Sequence, residues 1–178
     1  MNFDNKLIPG LLIKRYKRFF VDIKLRNGII TAHCPNTGSM QGLLQKNNKV
    51  WISKSNNPNR KLKYTLEIIQ DRNSKVGVNT HLSNKIVHHA LQNNLIKEIK
   101  NILEIKPETK YGSNTRFDFL IKNKSDKIFL EVKNVTLSRK KNIAEFPDAV
   151  TLRGLKHINE LMKASKEKYK IFIIYLIQ

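Results

Sequence analysis

Two carboxylates and a lysine stand where they could do phosphodiester chemistry. Asp118 lies in Arg-Phe-Asp-Phe-Leu-Ile, and Glu131 and Lys133 lie in Ile-Phe-Leu-Glu-Val-Lys. Each run has the length and apolar pattern of a strand, and Asn123-Lys124-Ser125-Asp126 between them is turn chemistry, so the pair reads as a β-hairpin. Closing that loop symmetrically faces Lys122 with Lys127 and, counting back, Asp118 with Glu131. Alternation along a strand puts Glu131 and Lys133 on one face with Asp118 across from them, Cβ atoms about 4.5–5.5 Å apart. Carboxylates that close repel unless a cation lies between them or one is neutral. Oxygen ligands suit Mg²⁺ (or Mn²⁺), and the lysine offers a positive charge to a water or phosphate. The competing reading is the solvated face of an ordinary amphipathic hairpin, because D…ExK spacings also arise by chance.

The elements that must position this hairpin come from a chain of 178 residues, 40% of them hydrophobic, enough for one domain or two small ones with a real core. No apolar run reaches membrane-spanning length and no signal-peptide pattern opens the chain, so no membrane association is expected. A single cysteine, Cys34, excludes an internal disulfide and a cysteine-based zinc site, and points to a reduced cytoplasm. The net charge is +20. Lysine supplies 26 of the 34 basic residues, and lysine, asparagine and isoleucine share A/T-rich codons, so genome bias inflates this figure. A field of that size still attracts polyanions, without sequence specificity.

Leu7 to Ile13 is apolar, broken at Pro9-Gly10. Lys14-Arg15-Tyr16-Lys17-Arg18 then leads into an alternating strand, a mixture of cations and aromatics suited to phosphates and stacked bases, or else a guarded basic edge strand. Asn27-Gly28 marks a tight hairpin, and Ile29 to His33 returns. His33-Cys34 opens a loop dense in turn formers. Neighbouring side chains on an extended chain point apart, which favours a structural loop over a Cys–His nucleophile. Val50 to Ile52 and Leu62 to Gln70 are further strands, flanking a basic loop from Lys54 to Lys63 that carries Arg60 and Lys61. Short strands up to residue 78 describe a small barrel or sandwich. From Asn79-Thr80 the period changes to helical, with Thr80 or Ser83 as cap, and Leu95, Ile99, Ile102 and Leu103 continue that spacing to Pro107. After the hairpin come a polar loop from Asn134 to Glu145, a helix from Phe146 to about Lys168 with Leu155, Ile158, Leu161 and Met162 on one face, and the apolar run Lys170 to Ile177. That run reads as a strand buried on both faces in the middle of a sheet. The order helix, strand, strand, helix, strand is an α/β unit spanning 79–178, after a β-rich unit spanning 1–78.

These residues resemble the sugar fermentation stimulation protein family. The likeness is carried by Arg15-Tyr16-Lys17-Arg18-Phe19, by His33 through Met40, and by Val78-Asn79-Thr80. It continues in Lys110-Tyr111-Gly112, Arg116-x-Asp118-Phe119, Glu131-Val132-Lys133-x-Val135-Thr136-Leu137 and the stretch from Phe146 to His157, all in family order. The resemblance implies an oligonucleotide-binding (OB-like) barrel followed by an α/β domain with a mixed sheet, similar to the PD-(D/E)xK nucleases. It also implies non-specific DNA binding and a regulatory role in sugar (maltose) metabolism. Two departures stand out. His89 occupies the helix position where such folds place another carboxylate, and family members extend further beyond Leu176-Ile177, so the C-terminus is expected to be shortened and the last strand to lack a neighbour.

Two function hypotheses follow. In the first, Lys14, Arg15, Lys17, Arg18, Arg60 and Lys61 contact DNA phosphates and Tyr16 stacks on a base. In the second, Asp118 and Glu131 hold Mg²⁺ (or Mn²⁺), the Val132 carbonyl completes the site, Lys133 orients or activates water, and Arg153 and His157 steady the phosphate charge. For the last two the alternative is a solvated helix face. A regulator acting through a protein partner is a third reading, which no amphipathic docking stripe supports.

Overall fold

The computed structural model describes residue 3 and residues 5–140, 142–149 and 152–178, without the side chain of residue 153. Two compact units are present: residues 1–82 with 134–149 and 177–178, and residues 83–133 with 150–176.

The first unit is built from β1 (Ile8–Tyr16), β2 (Phe20–Leu25), β3 (Gly28–His33), β4 (Lys49–Lys54), β5 (Tyr64–Asp71) and β6 (Ser74–Gly77). The sheet order is β3-β2-β1-β4-β5-β6, and β3 also pairs with β5, so five strands close into a barrel and β6 is appended to β5. This is the expected OB-like barrel. Strict alternation turns Val21 and Ile23, then Val50 and Ile52, inward, where they join Leu12, Ala32, Leu66 and Ile69 in a fully buried core. Truncating any of the larger ones to alanine costs about 2–5 kcal/mol.

Pro9-Gly10 does not break β1, contrary to the sequence expectation. Pro9 lies opposite Trp51 and Gly10 opposite Val50. A Cβ on Gly10 would fall 2.6 Å from Ile23 Cγ2, so the glycine is required by close packing across the barrel. The basic stretch likewise does not lead into a single strand. β1 ends at Tyr16, and Lys17 and Arg18, with φ of 48° and 62°, form the turn into β2.

The second unit contains α1 (Ser83–Gln92), β7 (Ile102–Tyr111), β8 (Thr115–Asn123), β9 (Lys127–Val135), α2 (Leu152–Lys166) and β10 (Lys170–Ile177), with sheet order β10-β9-β8-β7. The β7–β8 and β8–β9 pairs are antiparallel. Lys170 Nζ meets Asp126 where β9 and β10 begin, and the Gln178 N–H donates to the Val135 carbonyl where they end, so these two run parallel and the sheet is mixed. Val87 and Leu91 of α1 pack with Phe119, Ile121, Ile128 and Leu130 on one face. Leu161 and Ala164 of α2 pack with Phe117 and Phe129 on the other.

Three expectations fail here. The helical spacing of Leu95 to Leu103 is accidental: α1 stops at Asn93-Asn94, where Asn94 has φ 53° and the Leu95 N–H caps the Ala90 carbonyl, and Ile102 begins β7. Pro107 is accommodated because β7 is an edge strand. α2 starts at Leu152, not Phe146, and of its expected apolar stripe only Leu161 is buried, whereas Leu155, Ile158 and Met162 are exposed. β10 has apolar side chains toward both cores, Ile171 and Ile173 to one and Phe172 and Ile174 to the other, yet it is an edge strand, with Tyr175 53% and Ile177 67% exposed.

Candidate metal centre and nucleic-acid interface

The hairpin has the expected register: Lys122 faces Lys127, Ile121 faces Ile128 and Phe119 faces Leu130. Asn123 fixes the turn, its side-chain oxygen accepting from the Ser125 and Asp126 N–H groups. The regular ladder ends at Phe119–Leu130, and one step further the Val132 N–H donates to Asp118 Oδ2 at 2.7 Å. Asn84 Nδ2, from the first turn of α1, donates to Asp118 Oδ1 at 2.8 Å. Both carboxylate oxygens are thus oriented. Burial, then the nearby Glu131, pushes the Asp118 carboxyl above its ordinary value, against the lowering effect of those two hydrogen bonds.

Glu131 is 4% exposed. Its Oε1 takes two donors, Lys133 Nζ at 2.8 Å and His157 Nδ1 at 2.9 Å. A proton on His157 Nδ1 makes that contact a hydrogen bond to the carboxylate oxygen. Its Oε2 is fully buried and has no hydrogen-bond partner. An unsatisfied buried carboxylate oxygen costs several times an ordinary hydrogen bond, and a second, raised carboxylate stands beside it. A hard divalent cation relieves both, and Mg²⁺ is commonly held by one or two carboxylates with water completing its shell. The residues fit such an ion. Among the described residues no group of three or more His, Cys, Asp or Glu side chains converges on one point, so a third protein carboxylate is not supplied.

His89 is exposed, and its carbonyl accepts from Asn93. α1 reaches the site through Asn84 instead, a residue that sequence reasoning missed. Its only signal is its place beside Ser83 at the helix start. The side chain of Arg153 lies outside the described residues.

In the barrel, Lys17 and Arg18 are exposed at the β1–β2 turn beside Phe19, and Lys61 is exposed in the β4–β5 loop. The other expected phosphate contacts are engaged within the fold. Arg15 donates to the Arg18 and Asn36 carbonyls, and Lys14 lies 3.9 Å from Asp22 and over the Tyr16 ring. The Tyr16 hydroxyl donates to Asp22, and its ring stacks on Phe20 at 5.6 Å. These groups brace the hairpin that presents Lys17 and Arg18. Arg60 approaches His33 Nδ1 at 3.5 Å.

Cys34 is buried, its thiol near the Asn36 carbonyl and Met40 sulfur, and burial outweighs Arg15 in pushing its pKa up. This is a structural thiol. The loop that follows is held by Asp148, which accepts from the Ser39 N–H and hydroxyl and would be met at 2.5 Å by a Cβ on Gly38. A second buried glutamate, Glu67, accepts from Ser53 Oγ at 2.6 Å and from Asn79 Nδ2 at 2.8 Å, one donor on each oxygen.

The molecule is therefore an OB-type barrel protein with a second, mixed-sheet unit that bears a paired-carboxylate hairpin. Family comparison agrees: residues 13–78 match the SfsA N-terminal OB domain, and residues 81–178 match the sugar fermentation stimulation protein RE domain. The chain belongs to the sugar fermentation stimulation protein family. A homolog from Pelagibacter ubique is 57% identical over 178 residues, spanning all of this chain and 77% of that protein. One from Geotalea daltonii is 44% identical, spanning 97% of this chain and 74% of that protein. The solved structure of Pyrococcus furiosus SfsA in complex with Ca²⁺ superposes with a TM-score of 0.88 at 26% identity, covering 98% of this chain and 74% of that one. Among the described residues no helix is long and apolar enough to cross a membrane.

Proposed function

We propose that the protein binds DNA without sequence specificity and serves a regulatory role in sugar metabolism, the latter in keeping with the name of its relatives. The observation that carries the binding reading is the set of exposed cations on the barrel. Lys17, Arg18 and Lys61 have no carboxylate partner among the described residues, in a chain of net charge +20. A site of this kind reads phosphates and not bases, so affinity falls linearly with log salt concentration and varies little with sequence. Fluorescence anisotropy of labelled duplexes of unrelated sequence, across a salt series, tests it. A flat salt response or strong selectivity overturns it.

A second reading, a metal-dependent nuclease of the PD-(D/E)xK type, is favoured by the unsatisfied Glu131 Oε2. The Ca²⁺ of the Pyrococcus structure is in keeping with a divalent ion here. Glu131 and Asp118, with the Val132 carbonyl, would hold Mg²⁺ or Mn²⁺, and the ion would supply Lewis-acid stabilisation and a more acidic bound water. The chain's own part is positional. Lys133 and His157 fix Oε1 and so aim Oε2, while Asn84 and the Val132 N–H fix Asp118. Lys133 also places a positive charge beside the reacting phosphate. His157, which donates from Nε2 only when doubly protonated, and Arg153 are the residues proposed to steady that phosphate. Plasmid cleavage with Mg²⁺ or Mn²⁺, lost in Asp118→Ala and Glu131→Ala but kept in a variant of the exposed Lys97, Lys97→Ala, supports this reading, and no cleavage under any of these conditions counts against it.

A further inference from the structure

Three groups that can carry positive charge converge in the barrel unit from three separate elements. His33 ends β3, Arg60 comes from the β4–β5 loop, and His81 sits in the single 3₁₀ turn Thr80–Leu82. The Arg60 guanidinium lies 3.5 Å from His33 Nδ1, and the two imidazole rings lie 6.1 Å apart at 38°. Among the described residues none of the three is paired with a carboxylate. Phe20 faces His33 from β2 and Thr65 from β5.

We propose that His33, Arg60 and His81 form a binding site for a phosphate group. A phosphate offers acceptor oxygens to the guanidinium fork and to both imidazoles, and it supplies the anion that the cluster lacks. A divalent metal is the poorer occupant, because the guanidinium already lies against His33 Nδ1 and repels a second cation. In the free protein, burial, then Arg60, then His81 lower the His33 pKa, as expected where positive groups crowd without an anion. Phosphate binding reverses the sign of that field. His33 then takes up a proton, and affinity for a phosphodiester, whose own charge is constant there, rises as pH falls through the histidine range, by up to about tenfold per pH unit for one linked proton. Taking this phosphate to be one of a nucleic-acid backbone rests on the DNA-binding reading above; the site itself does not.

Histidine-ring NMR of the full chain provides the test, titrated first with inorganic phosphate at constant ionic strength and then with a short DNA oligonucleotide. The expected result is saturable movement of the His33 and His81 rings, with His88 and His89 unmoved, and a rise in the His33 titration midpoint in phosphate. Arg60→Ala and His81→Gln should each weaken phosphate binding about tenfold or more, in line with the loss of a charge-assisted hydrogen bond. His81 is exposed, so its variant reports on the site even where a His33 substitution disturbs the barrel. Ring shifts in phosphate and DNA alike support the site and assign it to nucleic acid. Shifts in phosphate alone support the site for free phosphate and argue against the DNA reading. DNA binding without movement of either ring, or equal shifts of all rings in chloride, overturns the site and leaves the DNA reading standing.

Discussion

Each unit of this molecule buries one glutamate almost completely, and the two are treated in opposite ways. Glu67, 5% exposed in the barrel, has one neutral donor on each oxygen, from Ser53 and from Asn79. Glu131, 4% exposed in the hairpin, has both of its donors on Oε1 and none on Oε2. Burial alone does not separate them. A carboxylate with a donor on each oxygen pins strands together, whereas an oxygen with no hydrogen-bond partner beside a second carboxylate is the feature on which the metal reading proposed above rests.

The largest effect should come from breaking the poised member of this pair. Glu131→Gln should lower affinity for Mn²⁺ about 100-fold or more, read by calorimetry, while the unfolding midpoint changes little. Retained Mn²⁺ affinity would remove the distinction between the two glutamates. Glu67→Ala should do the reverse. It orphans Asn79 and Ser53, opens a cavity, and should cost about 2–4 kcal/mol in urea unfolding with divalent-ion binding unaltered.

A smaller, opposite shift is expected from Asp118→Asn. The asparagine oxygen can still accept from the Val132 N–H, and the Asn84 amide can turn to accept from the new NH₂. The metal-free protein should gain about 1 kcal/mol at neutral pH. The pH dependence has a definite sign. The folded carboxyl titrates above its ordinary value of 3.8, so the folded state holds its proton longer than the unfolded one, and wild-type stability rises as pH falls through that window. The advantage of Asp118→Asn should therefore be greatest at neutral pH and close as pH falls toward 3.8. A gap that widens in acid would contradict the raised pKa.

The smallest effects belong to the barrel surface. Lys17→Ala and Arg18→Ala should each lower the log–log salt slope of DNA affinity by about one, and by the same amount on every sequence tested. Their effect on stability should stay within about 0.5 kcal/mol, since neither side chain is braced by the fold. A slope unchanged in the double variant would move the DNA interface off this turn.

The features legible in the sequence are those set by near neighbours. Asn123 through Asp126 fixes its own turn, and the turn fixes the register, so Lys122 opposite Lys127 and the placing of Asp118 near Glu131 follow from counting. Alternation after Arg18 marks β2, and the change of period at Asn79-Thr80 marks the first helix. Short periodic runs were less reliable. Leu95 to Leu103 fits a helix by spacing, yet β7 wins there because pairing with β8 outweighs local propensity. β10 has the apolar character of a central strand and occupies an edge, because composition reports which faces are covered and not how many neighbours a strand has.

The decisive parts of both sites were settled by tertiary structure. Asn84 reaches Asp118 across 34 positions, His157 reaches Glu131 across 26, and Arg60 meets His33 across 27. No local period encodes these encounters, since each is a by-product of packing helices and closing a barrel around apolar cores. The sequence by itself determined which two carboxylates would lie near each other. Only the folded chain decided that one oxygen of Glu131 would be left without a partner, because hydrogen-bond saturation depends on every donor the fold brings within reach, from whatever distance along the chain.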